Sequence, residues 1–141
     1  MRRIAEFQLT PTARSVPQAR RYVLDTLRDW ELDRFADVAA LLTSEVVTNA
    51  VLHARTTITL TIEREDDAVR ICVGDASPVT PAMRHHSDTA TTGRGLRLID
   101  NLADTWDVEG NATGKTVWFR LATEGDAPPS IGREQLEGAG A

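Results

Sequence analysis

The chain has 141 residues, 41% of them hydrophobic and 26% charged, enough for one domain with a real apolar core and too apolar for a chain disordered throughout. Its 16 Lys and Arg stand against 21 Asp and Glu, a formal net charge of −5, which argues against a direct nucleic-acid partner and leaves room only for a local anion site. The lone Cys72 has no internal disulfide partner and reads as a small core residue, while the absence of a membrane-length apolar run or a hydrophobic signal core predicts a cytoplasmic chain with no membrane partner.

In chain order, Ile4, Phe7 and Leu9 predict a short opening strand, stopped at Thr10-Pro11. From about Val16 to Leu32, Ala19, Val23 and Leu27 recur at helical spacing, with Pro17 in the first turn. A second helix is expected from Asp33 to Ala54, carrying Phe35, Val38, Leu41, Leu42 and Val46. Period-two runs follow at Ile58, Leu60, Ile62 and at Val69, Ile71, Val73, joined by Asp66-Asp67 as a hairpin. Residues 76–92 show no period and read as a long lid-like loop. A short helix from Gly95 to Leu102 precedes a strand containing Trp106 and Val108, a turn at Gly110-Asn111, and a last strand from Thr116 to Leu121. All three tryptophans are placed in the core. The order predicts an α+β two-layer sandwich: a mixed, mostly antiparallel sheet with about three helices on one face. Residues 1–122 form the expected domain; 123–141, with Pro128-Pro129 and few large apolar residues, read as a disordered tail.

Glu45, Asn49 and His53 fall four residues apart, one polar stripe on a helix whose neighbours are Leu42 and Val46. An amide carbonyl suits Mg²⁺ when phosphates supply the remaining charge, and a carboxylate one turn away can accept a proton from an attacking hydroxyl. The same spacing equally describes a polar helix end. Asp75, taken alone, reads as a turn initiator before Pro78; with a purine present, its half-buried carboxylate would accept from the exocyclic amine. Gly93-Arg94-Gly95-Leu96 opens a helix, where glycine admits close backbone approach and free amides attract phosphate. Gly114-Lys115-Thr116 is not a P-loop, because a β pattern follows it, and Lys115 is expected to be exposed. His85-His86 has no metal-ligand spacing around it.

The order of these features resembles the GHKL-type ATP-binding fold (the Bergerat fold) shared by histidine kinases, gyrase, the ninety-kilodalton heat-shock chaperone and MutL. Leu42-Thr-Ser-Glu45-Val-Val-Thr-Asn49-Ala-Val-Leu-His53-Ala54 looks especially like the anti-sigma factor serine kinases. The resemblance covers about residues 4–122 and implies ATP and Mg²⁺ as cofactors. It implies Asn49 as the Mg²⁺ residue, Glu45 as general base, and Asp75 as acceptor from adenine with Thr116 beside it. Gly93, Arg94 and Gly95, with Leu96 after them, would surround the phosphates; His53 lies near the pocket, and Ser77 is small enough to pack beside adenine. One departure is plain: where the family continues Asp-x-Gly-x-Gly, this chain has Asp75-Ala76-Ser77-Pro78-Val79. The implied function is a protein serine/threonine kinase that binds a sigma factor and phosphorylates an antagonist in a partner-switching pathway, as a homodimer. The competing expectation is a nucleotide-gated binding module without useful catalysis. A sensor histidine kinase is not expected, since 141 residues leave no room for its phosphoacceptor domain.

Overall fold

A computed structural model describes residues 2–53, 56–77 and 94–123. Along them run β1 (Arg3–Leu9), α1 (Ser15–Asp29), α2 (Asp33–His53), β2 (Ile58–Arg64), β3 (Ala68–Asp75), α3 (Arg94–Leu102), β4 (Thr105–Asn111) and β5 (Gly114–Ala122). The strands form one sheet in the order β1-β2-β3-β5-β4, and every neighbouring pair is antiparallel. The two-layer α+β architecture is therefore as expected, but none of these pairings makes the sheet mixed.

Strand alternation decides which residues meet the helices. Ile58, Leu60 and Ile62 on β2, Val69, Ile71 and Val73 on β3, and Phe119 and Leu121 on β5 are all buried and form one core with α1 and α2. Burying each such side chain contributes about 1.5–3 kcal/mol. α1 packs on α2 and reaches β1 and β2; α2 packs on β3, β5 and α3; α3 also reaches β4. The opposite face carries the alternate residues, and the expected core placement of Cys72 and Trp118 fails there. Ile4, grouped above with Phe7 and Leu9, pairs with Glu63 and is exposed. Cys72 pairs with Trp118 across β3 and β5, and both are half-buried on this outer face rather than in the core. Arg70 lies 4.5 Å over the Trp118 ring, a cation–π contact that covers it in place of core packing. Partial burial pushes the Cys72 thiol up from its ordinary range.

α1 ends through a Schellman turn. The Leu32 N–H donates to Leu27 O at 2.7 Å and the Glu31 N–H to Arg28 O at 3.0 Å, with Glu31 in the left-handed region at φ 60°. Leu32 and Leu27 are both buried, so the hydrophobic contact that accompanies the motif fixes the reversal into α2. By length and composition α2 is apolar enough to cross a membrane, contrary to expectation. In this fold it is the core helix, buried throughout Val38–Ser44. Its buried hydroxyls are satisfied locally: Thr43 donates to Ala39 O at 2.7 Å and Ser44 to Leu41 O at 2.8 Å. The β2–β3 hairpin turns at Asp66-Asp67 as expected, closed by the Glu65 N–H on Ala68 O. The β4–β5 turn does not fall at Gly110-Asn111: both residues pair within the ladder, opposite Lys115 and Gly114, and the reversal is at Ala112-Thr113. Of the expected loop 76–92 and the expected tail 123–141, residues 78–92 and 124–141 lie outside the described residues.

Candidate functional site

The helical half of the site begins where the buried run of α2 stops. Ser44 is buried, Glu45 and Asn49 are half-buried, and His53 in the last turn is exposed. The stripe therefore rises out of the core along the helix. Val46, Val47 and Ala50 flank it and hold the helix to its neighbours. Thr48, next in sequence to Asn49, bonds back to Ser44 O at 2.6 Å. Glu45 and Asn49 thus stand on a backbone fixed by packing on both sides, which suits residues that must aim at a ligand.

The sheet half is built at the ends of β3 and β5. Asp75 has the same strand phase as Val69, Ile71 and Val73, so its carboxylate points toward the helical layer, with its side chain only 2% exposed. Its Oδ1 accepts the Ser77 N–H at 2.7 Å, an Asx turn that starts the chain's departure from the sheet. The Ala76 N–H donates to Thr56 Oγ1 at 2.9 Å. The residue beside Asp75 is Lys115, not Thr116. The ladder pairs Asp75 with Lys115 and Gly74 with Thr116, so Thr116 turns to the outer face. There its Oγ1 would sit 3.1 Å from a Cβ added at Gly74. Lys115, expected to be exposed, is buried, with Nζ 3.3 Å from Asp75 Oδ2 and 3.4 Å from Oδ1. Its phase is that of Val117, Phe119 and Leu121. Extending that alternation two residues back would have found it.

Backbone closeness makes this corner specific. A Cβ added at Gly114 would lie 2.7 Å from Asp75 O, and since that neighbour is main chain, only glycine lets β5 pass the end of β3 so tightly. Both Asp75–Lys115 separations are long for a charged hydrogen bond, and Oδ2 has accepting capacity left. A ligand amine is therefore chemically acceptable there.

α2 packs against both β3 and α3, so the fold brings together the elements that carry Glu45, Asn49, Asp75 and the start of α3. Arg94, Gly95 and Leu96 form its first turn; Gly93 lies outside the described residues. Ser77 is half-buried just beyond Asp75. A cavity of about 590 Å³ wraps the strand ends and touches Thr57, Thr59, Gly74, Asp75, Lys115 and Thr116. Neither Glu45 nor Asn49 lines it. Much of the lining of that cavity, including Thr57, Thr59 and Thr116, belongs to the outer face. Among the described residues no His, Cys, Asp and Glu cluster could hold a metal on its own.

A search of curated proteins found no match. Residues 9–121, by contrast, match the family model of the histidine kinase-like ATPase domain. That span runs from the last residue of β1 almost to the end of β5, and so includes every element of the site described above. The match implies that ATP is the nucleotide the fold accommodates, and the chain belongs to the histidine kinase-like ATPase domain family.

Proposed function

We propose that the chain is an ATP-dependent serine/threonine kinase of the anti-sigma factor type, acting on an antagonist protein. The observation that carries this reading is Glu45 placed one turn before Asn49, where α2 leaves the core. Asn49 offers its carbonyl to Mg²⁺, which when bound supplies charge neutralisation to the phosphates. Glu45 takes the proton from a seryl or threonyl hydroxyl as that oxygen bonds to the γ-phosphorus and the β–γ bridging bond breaks to release ADP. Asp75 holds the base, and the amides opening α3 face the phosphates. The sigma factor is the second partner, and the setting is a cytoplasmic homodimer. Incubation with labelled ATP and candidate antagonists is expected to label a serine or threonine of one of them. Failure to label any would overturn the kinase assignment.

A second reading, a nucleotide-gated binding module, is favoured by the engagement of Asp75 with Lys115 and Ser77 and by Pro78 where the family motif has glycine nearby. The two readings separate on Glu45→Ala and Asn49→Ala. A kinase loses function with either. A gated module loses it only with Asn49→Ala.

A further inference from the structure

We propose that Lys115 reads the nucleotide base together with Asp75, donating to a ring nitrogen of adenine while Asp75 accepts from the neighbouring amine. This inference rests on the nucleotide reading of the site and adds a specificity-determining residue to it. Lys115 is a charged side chain 4% exposed, aimed into the layer between sheet and helices by strict strand alternation. Burying an ammonium is costly unless its protons are used. Among the described residues, however, Asp75 is the one group it contacts, at 3.3 and 3.4 Å. An ammonium has three protons to donate, so two loose contacts to one carboxylate leave it under-used. Asp75 is in the complementary condition: Oδ1 carries the Ser77 amide, and Oδ2 can take a further donor.

The pair therefore presents an acceptor and a donor side by side on one face of the sheet. Adenine shows the matching order, an amine donor flanked by ring-nitrogen acceptors, with N7 on one side and N1 on the other. An ammonium donating to either nitrogen gains a charge-assisted bond and Asp75 gains a donor at Oδ2, so base binding satisfies both members of the buried pair at once. A threonine or a water at this position would lack the charge. Methionine would match the volume and lack the donor.

The test is binding of Mg²⁺-ATP, 1-deaza-ATP and 7-deaza-ATP by calorimetry to the wild-type chain and to Lys115→Met, with circular dichroism to confirm that the variant folds. The wild type is expected to lose about 10- to 100-fold in affinity for one of the two analogues, the range for a hydrogen bond to a charged group. Lys115→Met is expected to bind ATP about as weakly as the wild type binds that analogue, and to lose the discrimination. Wild type that binds ATP and both analogues equally well overturns the role of Lys115 and leaves the nucleotide site standing, and so does a folded Lys115→Met that keeps the discrimination. Wild type that binds no nucleotide overturns both. Should Lys115→Met fail to fold, the wild-type analogue series decides alone.

Discussion

The two halves of the site solve the same problem, polar groups at the edge of an apolar core, in opposite ways. On α2 the buried hydroxyls of Thr43 and Ser44 bond to the helix's own carbonyls, and the polar stripe then climbs into half-exposed positions. The apolar neighbours Val46, Val47 and Ala50, on either side of that stripe, hold α2 in the core. At the strand ends the polar groups face each other across β3 and β5, as the buried Asp75 and Lys115 do, with donor and acceptor capacity left over. There the site and the fold share the same residues. The helical half can thus change its chemistry at small structural cost, and the sheet half cannot.

Removing one member of the buried pair is the strongest test of that difference. Asp75→Ala leaves the Lys115 ammonium without its counterion and is expected to cost about 3–5 kcal/mol, read as a lowered urea midpoint. Adding Lys115→Met to that variant should restore most of the loss, because replacing both charges by apolar groups is often neutral. Equal stability of Asp75→Ala and wild type would show that the pair does not hold the corner together. Next comes Gly114→Ala, whose new Cβ meets the Asp75 carbonyl at 2.7 Å. The main chain must shift, so about 1–3 kcal/mol should be lost, and nucleotide binding should weaken with it. A Gly114→Ala chain with full stability and full affinity would mean that the close approach plays no part in placing Asp75.

The same contrast explains what could be read from the sequence. The helix spacing of Ala19, Val23 and Leu27 and the alternation on β2 and β3 reappear as buried faces, because hydrophobic periodicity is the direct imprint of a core. The Glu45–Asn49–His53 stripe is also a local pattern and was visible as one. Lys115 is harder to see, because a lysine in a strand is ordinarily solvated; the alternation of Val117, Phe119 and Leu121 carries back to it, and the pairing across β3 and β5 shows that it shares a face with Asp75. The face of Thr116 is hidden for the same reason: adjacency in a motif does not fix which side of a strand a residue takes, and the ladder sets it opposite Gly74. Cys72 and Trp118 suit the core by residue type, because small and aromatic residues usually bury. A five-stranded sheet with helices on one side nonetheless leaves an outer face, and Arg70 covers part of it. The left-handed Glu31 carried no signal either, since glycine is the residue expected there.

Asn49→Ala gives the smallest change in stability and separates the halves most cleanly. Asn49 is half-buried inside a helix anchored on both sides by Val46, Val47 and Ala50. Alanine has the higher helix propensity, so the substitution should leave stability unchanged or raise it by about 0.5 kcal/mol. Mg²⁺-dependent ATP binding, measured by calorimetry on the same sample, should nevertheless be lost, because Glu45 and His53 stand a full turn away from the position of the amide oxygen. The sign is the informative part. A stability gain with a binding loss places Asn49 among residues kept for a ligand and not for the fold. A loss of stability comparable to that of Asp75→Ala would instead make the helical half as structural as the sheet half, and the contrast between them would fail.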